Sequence, residues 1–172
     1  MDSLPRIAVV GAGIAGASCA FFLADRGARV TLIERQHPAS GPTGKSSSLL
    51  HVFYMMPELS QLAARGNLVA DPDIYNEGAE AEESAAIVEF FQARIPAIEN
   101  LGIRPGYSGL YDMSPDDNPV IDAVPGVDGL FTIRGSSGHG FKMGAAVGEA
   151  AAQMALGEKP AVLAPFTIGR LP

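Results

Sequence analysis

The sequence contains a single cysteine among its 172 residues and no run of about 20 apolar residues, the length that a membrane-spanning helix needs. One cysteine excludes an internal disulfide framework and favours a reducing, cytoplasmic location. The first residues, with Asp2 and only a brief apolar stretch before Gly11, lack the pattern of a secretory signal. We therefore expect no membrane contact. Cys19 stands among small and aromatic residues, which indicates a core position rather than a reactive thiol.

Basic residues are few and dispersed. The sequence has 12 Lys and Arg against 19 Asp and Glu, which gives a formal net charge of -7. Nucleic acid and anionic membrane surfaces are therefore poor partners. One acidic cluster lacks histidine and the spacing of a carboxylate site, so we expect a solvated helix face and no metal. Its members are Glu77, Glu80, Glu82 and Glu83.

The strongest pattern lies near the N-terminus of a chain whose length suits one domain. A short apolar run, Ile7 to Val10, predicts a buried strand, and glycines follow it in the spacing G-x-G-x-x-G. An apolar helix is predicted from Ile14 to about Arg26, with Gly27 at its C-terminal cap. A second predicted strand, Arg29 to Ile33, ends at Glu34. This order of elements indicates a βαβ unit.

Each part of this unit suits a dinucleotide. Gly11 permits the tight turn after the strand, Gly13 lets a pyrophosphate approach the backbone, and Gly16 allows close packing of the helix on the sheet. The helix N-terminus offers free N–H groups to phosphates, and Glu34 is placed to accept hydrogen bonds from ribose hydroxyls. Glutamate disfavours a 2′-phosphate, so the residues alone leave FAD and NAD open. The predicted contacts at this end are Gly11, Ala12, Gly13, Ile14, Ala15, Gly16, Glu34 and Arg35.

A polar loop rich in Gly, Pro, Ser and Thr follows, from residue 35 to residue 48. Its hydroxyl and N–H groups either continue the cradle for phosphate and ribose or cap a helix that begins there, and the two interpretations have equal weight. The candidate site residues in this loop are Lys45, Ser46, Ser47 and Ser48. His51 lies in an apolar context, where a histidine is more often structural.

The middle of the chain has weaker patterns. The predicted elements are a short helix from Glu58 to Arg65, a helix from about Glu77 to Arg94, a strand-like stretch from Tyr107 to Met113, and strands at Val120 to Ala123 and Gly129 to Ile133. Pro96 ends or kinks the longer helix. Asp116 and Asp117 stand in a Pro/Asn turn, so we interpret them as turn residues rather than as paired catalytic carboxylates.

A second glycine-rich loop begins at Gly135 and opens a helix that runs to about Leu156, with Gly157 as its cap. Within this helix small residues recur every four positions, which predicts a smooth face for close packing; they are Gly144, Gly148 and Ala152. The chain therefore holds two helix N-termini that could face one long ligand. The alternative is a flexible connection without a ligand.

Three stretches together resemble the FAD-dependent amine oxidoreductases of the D-amino acid oxidase, glycine oxidase and sarcosine oxidase kind. They are GAGIAGASCAFFLADRGARVTLIER, GLYDMSPDDNPVIDAVPGVDGLF and SGHGFKMGAAVGEAAAQMA, and the resemblance covers about residues 7–51 and 71–172. It implies an α/β fold with a Rossmann-like FAD-binding domain: a parallel sheet with helices on both faces and a small antiparallel addition. It also implies that the second glycine loop and the loop from Lys45 to Ser48 border the isoalloxazine. The residues implied at the ring by the second loop are Gly135, Gly138, His139, Gly140, Phe141 and Lys142.

The chain departs from this family in length. Members carry a large substrate domain between their flavin-binding ends, whereas here only about residues 52–104 intervene, and they are predicted to be mostly helical. We therefore expect a single FAD-binding domain over residues 1–172, with a helical insert in place of a full substrate domain. The position at which some members attach flavin through cysteine corresponds to Gly109, which implies non-covalent FAD.

Three functions remain open on the sequence. The first is an FAD-dependent oxidoreductase that passes a hydride from an amine or amino acid to flavin, leaving an imine that water hydrolyses. The second is an FAD- or NAD-binding module or subunit that needs a partner to complete its site. The third, weaker, is an NAD(P)-binding Rossmann protein. No catalytic residue can be assigned. Uncovered apolar faces would favour a homo-oligomer or a partner subunit.

Overall fold

The computed structural model describes residues 4–46, 71, 73–78, 81–100 and 107–171. The chain divides into two compact units, Met1–Phe53 with Tyr111–Pro172, and Tyr54–Leu110. Several predictions lie outside the described residues: the short helix from Glu58 to Arg65, and the placements of Ser47, Ser48 and His51.

The first unit begins with the predicted βαβ arrangement. Strand β1 spans Arg6–Val10, helix α1 spans Ile14–Asp25 and strand β2 spans Arg29–Ile33. The strands are parallel, with Arg6 opposite Arg29 and Val10 opposite Ile33. Helix α1 contacts both strands, as the crossover connection of a parallel pair must. This unit confirms the α/β class and its Rossmann-like character.

The remaining elements are short, apart from two helices. In chain order they are the single helical turn α2 (Pro42–Lys45), helix α3 (Ala81–Gln92), a 3₁₀ turn (Pro96–Ile98), strands β3 (Val120–Ala123) and β4 (Phe131–Arg134), helix α4 (Gly140–Ala155), and two 3₁₀ segments (Ala161–Phe166 and Ile168–Arg170). Strands β3 and β4 form a small antiparallel pair, with Val120 opposite Arg134. Strand β4, the loop after it and α4 form the predicted second strand–loop–helix unit.

Glycine ends both long helices of the first unit, as predicted. Gly27 has φ +86°, and its N–H donates to the carbonyl of Ala24 at 2.9 Å, while the next N–H, of Ala28, reaches the carbonyl of Leu23 at 3.0 Å. These two bonds are the Schellman pattern. Gly157, with φ +89°, makes the same pair of bonds after α4. Only glycine adopts this left-handed position without strain, so each residue fixes where its helix stops.

The core of the first unit lies where α4 packs on α1. Leu23 and Ala152 are fully buried at this contact. A Cβ built on Gly144 would lie 2.8 Å from Cγ2 of Ile14, and one on Gly148 would lie 2.6 Å from the backbone nitrogen of Cys19. The predicted small-residue face is therefore the surface that permits this close approach.

Cys19 is a core residue, as predicted. Its side chain is buried, and that burial raises the pKa of the thiol. A raised pKa leaves little thiolate, which is the reactive form, so the structure favours a packing role. No helix within the described part of the chain has both the length and the apolar character needed to cross a bilayer.

The middle of the chain differs from the prediction in two places. The helix expected from about Glu77 does not begin there, because Gly78 instead pairs with Tyr107 in an isolated antiparallel bridge, and the described helix is Ala81–Gln92. The strand expected from Tyr107 to Met113 was wrong: of these residues, Tyr107 alone pairs with another strand segment. In this stretch, the carbonyl and carboxylate oxygens of Asp112 accept hydrogen bonds from backbone N–H groups of the loop before α4. The stretch is therefore hydrogen-bonded to a loop and not to a neighbouring strand.

Candidate functional site

The first glycine loop joins β1 to α1 in a conformation that requires glycine at two positions. Gly11 has φ +96°, and its N–H donates to the carbonyl of Ile33 at 2.7 Å, which fastens the end of β1 to the end of β2. A Cβ on Gly16 would collide with the carbonyl oxygen of Gly11 and lie 3.1 Å from its carbonyl carbon. The backbone turn therefore closes tightly over the first turn of α1, as the spacing predicted.

The N-terminus of α1 has no cap from its own N-cap residue, Gly13. The cap comes from Thr43 in α2, whose Oγ1 accepts a hydrogen bond from the N–H of Ile14 at 3.0 Å. The same Oγ1 would lie 3.1 Å from a Cβ on Gly13. Sequence reasoning missed Thr43, although Pro42 before it is a helix-start signal that marks α2.

The polar loop after β2 folds back over this glycine loop. The N–H of Ala39 donates to the carbonyl of Ala12 at 3.0 Å, and Ala12 is 3% exposed. A Cβ on Gly44 would collide with the carbonyl oxygen of Ala39, so α2 also depends on a glycine for its close approach. Lys45 ends α2 and Ser46 is its C-cap residue. The predicted capping of a helix by Ser46, Ser47 and Ser48 stays a prediction, because the residues directly after Ser46 lie outside the described part of the chain.

Glu34, directly after β2, links the loop after β2 to the glycine loop after β1 through its carboxylate. Its Oε2 accepts a hydrogen bond from the N–H of Ala12 at 2.8 Å, and its Oε1 accepts one from the N–H of Gln36 at 3.0 Å. These bonds, first that from Ala12, lower the pKa of the Glu34 carboxyl below its ordinary value. The carboxylate is therefore charged and lies beside the glycine loop, 22 residues away in sequence.

The second glycine loop leads from β4 into α4 through three left-handed residues. Gly135, Ser137 and Gly138 have φ values of +67°, +47° and +81°. A Cβ on Gly138 would lie 3.2 Å from the ring of Tyr111. His139 is the N-cap residue of α4, and its side chain makes no capping hydrogen bond. Phe141 and Lys142 follow in the first turn of α4.

The two helices that follow these loops run parallel and start at the same end. Gly144, in the second turn of α4, abuts Ile14, the first residue of α1, and Gly148 abuts Ser18 one turn further along both helices. Parallel helices place their positive dipole ends together. The structure therefore brings both predicted helix N-termini to one end of the helix pair. Contact of their residues with a cofactor stays a prediction.

Two comparisons of the sequence with known proteins found matches. The family model described as FAD dependent oxidoreductase (DAO) matches residues 6–77 and 65–154. N-methyl-L-tryptophan oxidases of Salmonella newport and Salmonella typhi are each 40% identical over 91 residues, which is 52% of this chain and 24% of the relative. The chain thus spans about a quarter of the length of these curated relatives. No solved structure matches the chain significantly. Since the family model covers most of the sequence, the chain belongs to the DAO family of FAD dependent oxidoreductases, with FAD as the cofactor that the sequence predicted.

Proposed function

We propose that the chain binds FAD non-covalently between its two glycine loops and oxidises an amine or amino acid. The observation that carries the proposal is the parallel packing of α1 and α4, with Gly144 against Ile14. In this arrangement one helix N-terminus serves the diphosphate and the other serves the flavin ring. The residues proposed to border FAD are those predicted above: Gly11–Gly16, Glu34, Arg35, Lys45–Ser48, Gly135 and Gly138–Lys142.

The residues of the first loop fit a nucleotide diphosphate. A side chain at Gly16 would close the turn, and one at Gly13 would press on Thr43 at 3.1 Å, so both glycines keep the backbone open to a phosphate. The charged carboxylate of Glu34 has lone pairs beyond those used by Ala12 and Gln36, which can accept hydrogen bonds from the adenosine ribose. The fit supports a free ribose and no 2′-phosphate.

The proposed reaction divides the work between cofactor and protein. When bound, FAD supplies the acceptor for a hydride from the carbon next to the substrate nitrogen. The protein binds the cofactor, orients the ring through the second loop and excludes water. The relatives are N-methyl-L-tryptophan oxidases, which supports an amine as the substrate class. We assign no catalytic base, and Gly109 in place of a cysteine supports non-covalent attachment.

The experiment is reconstitution of the purified chain with FAD, followed by gel filtration and a visible spectrum. Co-elution of protein with a flavin band that differs from free FAD supports the proposal. A chain that takes up no FAD contradicts it, and uptake of NADH in preference to FAD would favour the Rossmann alternative. Anaerobic addition of N-methylated and primary amino acids then tests the reaction, since bleaching of the flavin band reports its reduction.

A second candidate function is a flavin-binding module that needs a partner for turnover. It is favoured by the short interval, about residues 52–104, between the two flavin-binding ends that the resemblance implies. Here the bound flavin would resist bleaching by every amine tested but would be reduced by dithionite. We further propose that one FAD-binding domain extends over residues 1–172, with residues 52–104 as a helical insert.

Location and assembly are part of the same proposal. A cytoplasmic protein suits the single cysteine, which is buried. Self-association, or association with a partner subunit, is supported by large apolar side chains exposed on β1 and β2. Val10, Leu32 and Ile33 are examples. Light scattering that finds a strict monomer at every concentration would exclude self-association.

A further inference from the structure

Ser137, in the loop before α4, holds a backbone conformation that disfavours any residue with a side chain. Its φ is +47°, and its neighbours Gly135 and Gly138 have φ values of +67° and +81°. Glycine enters this left-handed region freely, whereas an L side chain does not. A non-glycine residue stays there only when its surroundings fix it. The contacts of Ser137 therefore show which interactions hold the loop in this conformation.

Hydrogen bonds with Asp112 and Ser114 fix the loop around Ser137. The N–H of Ser137 donates to the carbonyl of Asp112 at 2.8 Å, and the N–H of Gly135 donates to Oδ2 of Asp112 at 2.5 Å. The Oγ of Ser137 accepts from the N–H of Ser114 at 3.1 Å and donates to the carbonyl of Gly135 at 3.1 Å. Ser114 and Ser137 are only 8% and 9% exposed, so the hydrogen bond between them is shielded from water, whereas Asp112 is exposed. The hydroxyl explains why serine, rather than a third glycine, occupies the position.

The network continues to the C-terminal 3₁₀ turn. The Oγ of Ser114 lies 3.2 Å from Oδ1 of Asp116 and 2.7 Å from the carbonyl of Asn118. Arg170, in the 3₁₀ turn, donates two hydrogen bonds to the carboxylate of Asp116. Its Nε lies 2.6 Å from Oδ2, and its Nη2 lies 3.0 Å from Oδ1. Its Nη2 also donates to the carbonyl of Asn118 at 2.6 Å. A bidentate contact of this kind fixes the orientation of the Asp116 carboxylate as well as its position.

We propose that Ser137 and Asp112 are positioning residues that hold the second glycine loop in the shape required beside the flavin ring, with Arg170 as their remote support. The inference rests on the proposed function. The loop leads directly into α4, and the start of α4 lies beside Ile14 at the start of α1. Loss of these hydrogen bonds should therefore displace the loop residues that are proposed to border the flavin ring. The first glycine loop, which is proposed to bind the diphosphate, should keep its geometry.

The test compares FAD-reconstituted variants of the full chain. In Ser137→Ala the dissociation constant for FAD should rise about tenfold, which corresponds to about 1.4 kcal/mol. The visible band, the flavin fluorescence and the midpoint potential should all shift toward those of free FAD. Asp112→Ala should show the same shifts. Asp112→Asn keeps a side-chain oxygen for the N–H of Gly135 and should restore the spectrum and potential of the wild type, a rescue that a merely structural role does not require.

Two arginine variants, one within the network and one outside it, provide the next comparison. Arg170→Gln removes the ion pair with Asp116 and should shift the spectrum in the same direction as Ser137→Ala, by a smaller amount. Arg26→Gln removes another exposed ion pair, with Glu158 at 2.8 Å, which does not join the network, and it should leave the spectrum and potential unchanged.

The outcomes separate this inference from the proposed function. A wild-type spectrum and potential in both Ser137→Ala and Asp112→Ala overturn the inference alone, as do equal shifts in Arg26→Gln and Arg170→Gln. Failure of the wild-type chain to take up FAD overturns the inference and the proposed function together. If Ser137→Ala does not fold, the comparison of Asp112→Ala with Asp112→Asn decides.

Discussion

Gly148 of α4 lies directly against the backbone of Cys19 in α1, so that a Cβ built on the glycine would be 2.6 Å from the backbone nitrogen of Cys19. Real Cβ atoms do not approach a backbone atom so closely, and no change of rotamer relieves a contact that involves a Cβ. The parallel packing of the two helices, and with it the meeting of their N-termini, therefore depends on the absence of a side chain at this position.

Replacing Gly148 with alanine should destabilise the protein. Alanine raises helix propensity by about 1 kcal/mol, but separating two packed backbones costs more, so we expect a net loss of about 2 kcal/mol in the free energy of unfolding. Urea unfolding followed by circular dichroism measures the loss. Gly169→Ala is the control, since a Cβ there meets no atom within 4 Å, and its effect should stay within about 0.5 kcal/mol. Equal stability of Gly148→Ala and the wild type would contradict the packing described.

Replacing Gly16 with alanine should weaken FAD binding more than it weakens the fold. The new Cβ would collide with the carbonyl oxygen of Gly11, and the glycine loop must open to accommodate it. We expect the dissociation constant for FAD to rise at least about a hundredfold, since the phosphate contacts of the loop depend on its shape. Isothermal titration measures the affinity. Gly41→Ala, in the neighbouring loop but with open space around its Cβ, should bind FAD as the wild type does.

The elements that the sequence predicted well are those with local signals. The glycine spacing and apolar runs placed β1, α1 and β2 to within one residue, and Gly27 and Gly157 marked the helix ends because a left-handed residue after a helix is a local requirement. The spacing of Gly144 and Gly148 also predicted a packing face. In each case the physical cause lies within a few residues of the pattern.

The features that the sequence did not reveal depend on partners far along the chain. Thr43 caps a helix that begins 29 residues earlier, and Ser114 reaches Ser137 across 23 residues. A single hydroxyl-bearing residue forms no repeating sequence pattern, so the residues around it do not indicate which distant group it will bond. The same cause made the strand at Tyr107 to Met113 wrong, because Asp112 is committed to the distant loop at Gly135.

Thr43 offers a direct test of the cap on α1. Thr43→Val keeps the shape of the side chain but removes the oxygen that accepts from the N–H of Ile14, and loss of such a cap costs about 1 kcal/mol. Thr43→Ser keeps the oxygen and should lose much less. Thermal unfolding without FAD compares the two variants. If valine and serine lower the melting temperature equally, the hydroxyl does not cap the helix.

Glu34 makes stability depend on pH in a direction that its contacts fix. The hydrogen bonds from the N–H groups of Ala12 and Gln36 lower the pKa of the carboxyl in the folded state below the ordinary value of 4.5. The charged carboxylate therefore contributes stability that is fully present above the pKa of the unfolded chain and is lost as pH falls through the lower, folded pKa. Glu34→Gln removes the charge, so it should be less stable than the wild type at neutral pH, and the gap should narrow as pH falls below 4.5. Urea midpoints of both proteins without FAD, from about pH 3 to about pH 8, measure the gap. A gap that widens on acidification would mean that these hydrogen bonds do not favour the charged form of Glu34.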